Sequence, residues 1–382
     1  MISRQLLIRT SASGWYLETV SMKKILIIGA LLFLLLMVPG VLAGSEIWNQ
    51  QKPNDGAGWL GRMDHTSVAM PDGSIILIGG FDGAHKNDVW RSTNHGATWV
   101  QQTANAAWSA RRGHTSVAMP DGSIVLMGGL SDTRKNDVWR STDNGRTWTL
   151  QTASPGWSGR HSHTSVVMPD GSIVLMGGHD GTQKNDVWRS TDYGASWTQQ
   201  TTSAGWSERY GHASVVTRDG SIILMGGYAR ELGGRNRDDV WRSTDHGVTW
   251  MQLPKARWSA REDHTSVVMP DGSIILMGGF DGNEKNDVWR SADNGMSWTR
   301  EIERASWSAR RKHTSVVMPD GSIVLMGGGP VPYQNDVWRL VPGEAAIPAD
   351  TSTQRAPEET PGFGLMVVLA GLAAAFIVSR KH

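Results

Sequence analysis

The hydrophobic positions of this chain recur in short blocks separated by polar turns. Between residues 45 and 342, apolar stretches such as SIVLMGG return every 49 or 52 residues. Near-continuous apolar runs of this length are typical of strands that are buried on both faces. One unit predicts four strands, with the sequences HTSVVM, SIVLMGG, DVWRS and TWTLQ. PDG, between the first two, is a tight turn, because proline presets one torsion and glycine accepts a positive φ.

Six histidines mark the repeat and stand 49, 49, 49, 52 and 49 residues apart. A Gly-Gly pair follows each of them, and a tryptophan-containing segment such as NDVWRS comes next. Six four-stranded units of this period predict an all-β fold, a six-bladed β-propeller. The histidines are His65, His114, His163, His212, His264 and His313.

The tryptophans predict how the ring closes. The last repeat carries only Trp338, whereas the first five carry three each. Trp48 in SEIWNQQ matches the ATWVQQ segment of the first repeat, and Trp59 precedes His65 by the same six residues that separate Trp108 from His114. The segment around Trp48 is therefore predicted to form the fourth strand of the last blade, which removes exposed sheet edges.

Two families of propeller resemble these repeats. The R-x-x-H opening, the double glycine and the later tryptophan resemble kelch repeats. The turn STDNGRTW at residues 141–148 resembles the Asp-box of BNR-like repeats, and residues 92–99 depart from it with Asn94 in place of aspartate. Further copies lie at residues 190–197, 243–250 and 291–298. The two resemblances span residues 45–342 and imply the same propeller fold.

Composition excludes several classes of function. With 37 basic and 36 acidic residues the net charge is +1, which argues against a dedicated nucleic-acid binder. The absence of cysteine excludes disulfides, thiolate metal sites and cysteine nucleophiles. It also excludes the Tyr–Cys copper chemistry of the galactose-oxidase class, which resembles kelch proteins. No cofactor and no metal site is indicated.

The N-terminal region, residues 1–44, reads as a signal. Lys23 and Lys24 precede an apolar run over residues 25–38, and small residues follow up to Gly44, the order of a secretory signal. The stretch before Met22 fits no targeting pattern, so Met22 is the predicted start. The alternative is an uncleaved N-terminal membrane anchor. Either reading predicts an N-terminal apolar helix and export.

The C-terminal region predicts attachment to a membrane. A Pro/Glu/Thr-rich linker over residues 343–361 leads to residues 362–382, which hold a short apolar stretch and a basic end. The PGF tripeptide, apolar helix and basic tail resemble the PGF-CTERM sorting signal of archaeal surface proteins. That resemblance implies an archaeosortase-type processing enzyme and a lipid linkage. The alternative is a plain membrane anchor.

Strand alternation predicts which loops share a face. The PDG turns and the Asp-box-like turns fall on one face, which hardly varies between repeats. The loops after Gly-Gly fall on the other, and the fourth, residues 228–237, is four residues longer than the standard. Function on a rigid scaffold sits in its loops, so a ligand site is predicted on this second face. The candidate binding residues are Phe81, His85, His179, Tyr210, Tyr228, Arg230, Arg235, Phe280 and Tyr333. The alternative is that these loops are simply unconstrained.

Residues that occur in every blade are interpreted as structural. The six histidines and the arginines three residues before them are predicted to bond backbone, or aspartates such as Asp88 and Asp137, between blades. The tryptophans are predicted to pack between blades. The Asp-box-like carboxylates are predicted to cap their own turns, with a weak Ca²⁺ site as the alternative.

The sequence favours a cell-surface binding or structural module over an enzyme, because near-identical blades offer few residues that break symmetry. The expected ligand is a surface glycan or another surface protein. A sialidase-like hydrolase is one alternative, with Tyr210 or Tyr228 beside Glu208 or Glu231. The other is a lyase or epimerase on acidic sugars that draws on Glu262, Asp263 and Glu208.

Overall fold

The computed structural model describes residues 4–9, 15–20, 48–52, 58–231 and 234–341. Every regular element in this part of the chain is a β-strand, and it contains no helix long and apolar enough to cross a membrane. The helices predicted for the signal and for the C-terminal tail lie outside the described residues. Near the N-terminus, β1 (Arg4–Arg9) and β2 (Trp15–Val20) pair as an antiparallel hairpin.

The remaining strands form six four-stranded antiparallel sheets, so the predicted six-bladed propeller is confirmed. Blades 1 and 2 contain β4 (Thr66–Ala69), β5 (Ile75–Phe81), β6 (His85–Ser92) and β7 (Val100–Thr103), then β8 (Thr115–Ala118), β9 (Ile124–Leu130), β10 (Arg134–Ser141) and β11 (Thr149–Thr152). Blade 3 contains β12 (Thr164–Val167), β13 (Ile173–His179), β14 (Gln183–Ser190) and β15 (Thr198–Thr201).

Blade 4 contains β16 (Ala213–Val216), β17 (Ile222–Met225), β20 (Val240–Ser243) and β21 (Met251–Gln252). Its long loop adds a small hairpin, β18 (Tyr228–Ala229) and β19 (Arg235–Asn236). Blade 5 contains β22 (Thr265–Val268), β23 (Ile274–Phe280), β24 (Glu284–Ser291) and β25 (Thr299–Ile302). Blade 6 contains β26 (Thr314–Val317), β27 (Ile323–Met326), β28 (Val337–Leu340) and β3 (Trp48–Lys52).

Blade 6 closes the ring as the tryptophan spacing predicts. Strand β3 pairs antiparallel with β28, and Leu340 stands opposite Trp48. Strand β26 lies against β4, as each innermost strand lies against the next. The N-terminal strand thus covers the edge of the sheet formed by the C-terminal strands.

The hydrophobic core lies between blades rather than inside them. Trp108 is fully buried among Ile76 and Val89 of blade 1 and Leu126 of blade 2. Its ring meets that of Trp148 edge to face, with centroids 5.9 Å apart. The equivalent pairs recur around the ring, and Trp307 with Trp48 completes the set at 5.9 Å. The predicted packing role of the tryptophans between blades is confirmed.

The repeated arginines bond the aspartates and backbone, as predicted, but they do so within a blade, so the predicted location of these bonds between blades was wrong. Arg111 Nη1 donates to Asp137 Oδ1 at 2.6 Å and to the Gly128 carbonyl at 2.9 Å, all within blade 2. Only its backbone reaches blade 1, since its N–H donates to the Lys86 carbonyl. The arginine precedes the first strand of its blade, and its side chain runs along its own sheet to the third strand, which carries the aspartate.

Four of the six histidines join neighbouring blades, but through threonine rather than aspartate. His313 does not, because Thr265 Oγ1 bonds with Ser315 Oγ instead. His114 Nε2 lies 3.1 Å from Thr66 Oγ1 of the preceding blade, and His65 closes the ring at 3.0 Å from Thr314 Oγ1. Ala213 stands at the threonine position of blade 4, and the Nε2 of His264 has no described partner there. Burial, with the charge of Arg111 next, lowers the pKa of His114 to about 3, so it stays neutral.

The turn between the third and fourth strands of a blade packs onto the preceding blade. We call it the Ser–Trp turn, and its copies are residues 92–99, 141–148, 190–197, 243–250 and 291–298. Within the turn, Asp143 accepts bonds from the Thr147 N–H at 2.9 Å and hydroxyl at 2.6 Å, so the predicted capping role is confirmed. Gly145 has φ +85° and lies against the Val89 methyls of blade 1. These turns therefore act as wedges between blades.

Replacing Gly145 with alanine tests this wedge, and Gly122 is the matched control. A Cβ on Gly145 would stand 2.6 Å from Val89 Cγ1, whereas a Cβ on Gly122 meets nothing within 4 Å. Their φ values, +85° and +80°, give similar backbone strain. We expect Gly145→Ala to lower the free energy of unfolding by about 1–3 kcal/mol more than Gly122→Ala does. Equal losses in urea unfolding would contradict the wedge.

Candidate functional site

The backbone closes a ring of six hydrogen bonds around the propeller axis. Each residue immediately before a repeat histidine donates its N–H to the equivalent carbonyl of the preceding blade, at 2.7 to 3.2 Å. All six have positive φ, from 53° to 62°. We call them the mouth ring: Asp64, Gly113, Ser162, Gly211, Asp263 and Lys312. The ring lies on the face of the variable loops, because the innermost strands begin there.

A cavity of about 130 Å³ is lined by the mouth ring and the six repeat histidines. At roughly 30 Å³ for each water molecule, that space suits about four waters rather than a sugar. Within the described part of the chain, no three histidine, aspartate or glutamate side chains are arranged as metal ligands. The channel below the mouth is therefore too small for a sugar-sized ligand, and the surface around it is the candidate site.

An outer ring surrounds the mouth ring, and isolated β-bridges tie it to the variable loops. It consists of the residues two positions before each histidine: Met63, Arg112, His161, Tyr210, Glu262 and Arg311. Met63 pairs with Phe81, His161 with His179, and Tyr210 with Tyr228. The predicted binding residues Phe81, His179, Tyr210 and Tyr228 are thus held at the mouth by backbone hydrogen bonds.

The predicted aromatic residues form contacts along this rim. His179 lies between His161 and Tyr210, with ring centroids 5.3 and 5.7 Å away, and Tyr210 meets Tyr228 at 5.4 Å. On the other side of the mouth, Phe81 contacts His85 at 5.4 Å and Tyr333 at 6.2 Å. The structure therefore gathers these residues into two aromatic clusters.

Arginines cap both phenylalanines. The guanidinium of Arg112 lies 4.7 Å from the Phe81 ring centroid, and that of Arg311 lies 4.3 Å from the Phe280 ring centroid. Such contacts hold a cation in place while leaving its N–H groups free to donate. Neither arginine is among the predicted binding residues, although the variation at their positions is visible in the sequence.

One sector of the mouth carries carboxyl groups. Lys312 Nζ lies 3.1 Å from Asp64 Oδ2 and 3.9 Å from Asp263 Oδ2. Burial raises the pKa of Asp263 to about 6, although Lys312 opposes the shift. Burial and the neighbouring charge of Asp263 raise the pKa of Glu262 to about 7. Burial, followed by the charges of these two carboxyl groups, raises the pKa of Tyr210 to about 12.

The sector formed by blades 2 to 4 holds a cavity of about 250 Å³. Arg112, His161, His179, Tyr210 and Lys312 supply its hydrogen-bonding side chains, together with Ser162 and Asp64. Burial, and then the charge of His179, lowers the pKa of His161 to about 4, and the charges of Arg134 and Lys312 contribute while that of Asp64 opposes the shift. Burial and then the charge of Arg134 lower the pKa of His179. Both imidazoles are thus neutral in a field dominated by cations.

The two remaining candidates belong to the long loop of blade 4. Arg235 lies in β19, and the backbone N–H of Arg230 donates to Gln183 Oε1 of blade 3 at 2.5 Å. This contact holds the hairpin against the neighbouring blade, next to the cavity sector. The charge of Arg230 contributes to the lowered pKa of His179.

The opposite mouth has different chemistry. There, alanine, methionine, valine and proline side chains such as Met70, Pro71 and Val167 line a depression of about 400 Å³. Charge and hydrogen-bonding capacity are therefore concentrated at the mouth of the variable face.

A sialidase needs three arginines that bind the carboxylate of its substrate. The repeated arginines are not available for this role. All six are buried, and each is engaged by its own aspartate, as Arg209 is by Asp239 at 2.6 and 2.8 Å. Glu208, which the sequence placed beside Tyr210, is exposed, and the acids whose charges act on Tyr210 are Glu262 and Asp263.

Comparison with known proteins agrees with this architecture. A sequence profile described as the KLHDC2/KLHL20/DRC7 Kelch-repeats domain matches residues 43–227. A second, described as the DUF6242 beta propeller domain, matches residues 169–301. No curated protein matches the chain. The repeats and the closed ring identify the described chain as a six-bladed β-propeller, and the profiles show that its repeats are similar to Kelch-repeat and other β-propeller domains.

Proposed function

We propose that this propeller is a binding module whose ligand is an anionic, hydroxyl-rich group, such as an acidic sugar of a surface glycan. The observation that carries the proposal is Arg112 in the wall of the 250 Å³ cavity. Among the described residues, no carboxylate lies within ion-pair distance of its guanidinium. A planar guanidinium presents a fork of donors that matches a carboxylate.

The rest of the cavity supports a sugar-like ligand. Its volume lies just below the roughly 300–1,000 Å³ of typical small-molecule sites, which suits a single small unit. Ser162, His161 and Tyr210 offer hydroxyl and ring-nitrogen groups for a polyol, and His179 adds an aromatic face. A carboxylate side chain on another surface protein shares the anionic group but lacks the hydroxyls.

We further propose that the protein is exported and anchored with this mouth facing away from the membrane. Strand β28 ends and β3 begins at the face of the Ser–Trp turns, where Leu340 stands opposite Trp48. Both connections to the terminal regions therefore leave the propeller at that face, and we expect a membrane tether to act from there. The signal, the PGF-CTERM-like tail with its archaeosortase-type processing, and the Asp-box kinship of the turns are parts of this proposal that rest on the sequence.

The test measures binding of D-glucuronate to the full-length chain by calorimetry, with D-glucose as the uncharged analogue. We expect glucuronate to bind and glucose not to bind. Arg112→Gln should weaken the binding of glucuronate at least tenfold, because a hydrogen bond to a charged group contributes about 1.5–3 kcal/mol. Arg146→Gln makes the same change on an exposed residue of the opposite face and is the matched control. No binding of glucuronate, or equal effects of the two variants, would overturn the proposed site.

The pH dependence of this binding follows from the carboxyl sector. The raised pKa values of Glu262 and Asp263 mean that the pair is largely neutral at pH 5 and becomes anionic as pH rises through about 6 to 7. Negative charge beside the cavity repels an anionic ligand. We expect tighter binding at pH 5 than at pH 8, and a smaller difference in Glu262→Gln.

Acid–base catalysis on acidic sugars is the second candidate function. Glu262 favours it, because a carboxyl group with a pKa near 7 can donate a proton at neutral pH. Cleavage of an added glucuronide, or epimerisation of the D-glucuronate itself, that is lost in Glu262→Gln would replace simple binding with this activity.

A further inference from the structure

Five of the six grooves between blades are filled by a Ser–Trp turn. The glycine of each turn lies against a valine on the third strand of the preceding blade. A Cβ placed on that glycine would stand 2.5 Å from Val337 at Gly96 and 2.6 Å from Val187 at Gly247. The valine of blade 5 is Val288, and no turn among the described residues reaches it. The reason is the ring closure, because blade 6 takes its third and fourth strands from separate segments of the chain.

The turns also contact polar groups of the preceding blade. His95 Nε2 lies 3.0 Å from Asp320 Oδ2, His246 Nε2 lies 3.3 Å from Asp170 Oδ2, and Asn294 Nδ2 donates to Asp219 Oδ2 at 3.3 Å. The contacted residue is in each case the aspartate of a tight turn between the first and second strands. The corresponding aspartate beside the unfilled groove is Asp271.

The unfilled groove, between blades 5 and 6, has the chemistry of the other five. It measures about 350 Å³, with Met269, Ile275 and Leu340 among its apolar lining and Asp271 and Arg290 at its polar edge. The Asp271 side chain is 56% exposed, against 36 to 46% for the five equivalent aspartates.

We propose that the segment of this chain that follows β28, residues 342–346, docks in this groove. The chain leaves β28 at Leu340, which itself lines the groove, so the segment starts close to where each Ser–Trp turn starts. Its sequence, PGEAA, begins with Pro-Gly, a turn-forming pair, and ends with two alanines. Gly343 stands one residue earlier than the glycines of the other turns. Its small size suits a groove whose five counterparts hold a glycine against a valine.

Cysteine crosslinking of the full-length chain tests the docking, because the natural sequence contains no cysteine. The test variant is Asp271→Cys with Glu344→Cys. The positive control, Asp121→Cys with Tyr193→Cys, places a cysteine pair across a filled groove. The negative control, Asp121→Cys with Glu344→Cys, pairs the tail with a groove on the other side of the ring. We expect intramolecular disulfide in the test variant at a rate within tenfold of the positive control, and none in the negative control.

A third substitution separates docking from simple proximity. Gly343→Val, added to the test pair, puts a branched side chain where the five Ser–Trp turns have a glycine. Crosslinking should therefore slow at least tenfold. Proximity along the chain alone would leave the rate unchanged and would overturn the proposal. Crosslinking only between molecules would overturn it as well, by assigning the groove to a second copy. Matching thermal unfolding of all variants is required for each comparison.

Discussion

Asp137→Ala lowers the free energy of unfolding by about 3–5 kcal/mol, because it leaves a buried arginine charge without its partner. Arg111 is 0% exposed, and its guanidinium donates to Asp137 at 2.6 and 2.9 Å. Asp137 Oδ2 also accepts from Trp139 Nε1 at 2.7 Å. The substitution therefore disrupts the arginine, the tryptophan and the third strand of blade 2 together. Urea unfolding at pH 7 measures the loss.

Asp132→Ala is the matched control. Asp132 lies in the same blade and stands 3.8 Å from Lys135, but its side chain is 85% exposed. Exposed pairs of this kind contribute about 0–1 kcal/mol. If both variants lost the same stability, the buried pair would not be the important one. A loss only in Asp137→Ala would establish the repeated Arg–Asp pairs as the polar framework of the blades.

The pH of the measurement matters for this comparison. Burial opposes ionisation of Asp137, but the hydrogen bonds and charge of Arg111 outweigh it and hold the pKa below its usual range. A lowered pKa in the folded state means that the contribution is complete above the unfolded value of about 4. It is lost as pH falls through the folded value. The difference in the free energy of unfolding between Asp137→Ala and Asp132→Ala should therefore become smaller at acidic pH.

Trp48→Ala lowers the free energy of unfolding by about 3–5 kcal/mol, the range for removing a large aromatic side chain from a core. Trp48 is 3% exposed and packs with Ile323 and Leu340 between blades 5 and 6. It is also the N-terminal residue of the strand that closes the ring. Its loss should loosen β3, so that amide hydrogens of β28 exchange faster with solvent. Hydrogen exchange and urea unfolding measure the two effects.

Gln50→Ala, on the same strand, is the control for this prediction. Gln50 is exposed, and its backbone pairs with Trp338. A surface substitution of this kind changes stability by about 0.5 kcal/mol or less. An unchanged exchange rate in β28 after Trp48→Ala would show that ring closure does not depend on the tryptophan.

The sequence alone predicted the architecture because the relevant contacts repeat. Each blade must form the same strand pairs and bury the same tryptophan, so six copies of one pattern report one local structure. The position of Trp48 revealed the closing strand by the same logic. The face on which each loop lies was predicted from the alternating direction of the strands, which depends only on their order in the sheet.

The same repetition concealed the side-chain pairing. A conserved arginine and aspartate in every blade are compatible with bonds inside a blade or across to the next, and spacing does not distinguish them. The side chain of Arg111 turned out to follow its own sheet, while its backbone reaches the neighbour. The path of the side chain between two sheets decides this, and no periodicity encodes it.

What only the tertiary structure decided lies where the symmetry is broken. Lys312 meets Asp64 across 248 positions of sequence, and Arg112 caps Phe81 from the neighbouring blade. No turn among the described residues enters the groove between blades 5 and 6, because the ring closes in blade 6 with two separate segments. The sequence by itself determined the repeated unit, its strands and the closed ring. Which residues come into contact around the axis depends on how the six blades are arranged in the closed ring, and this is a property of the assembled structure.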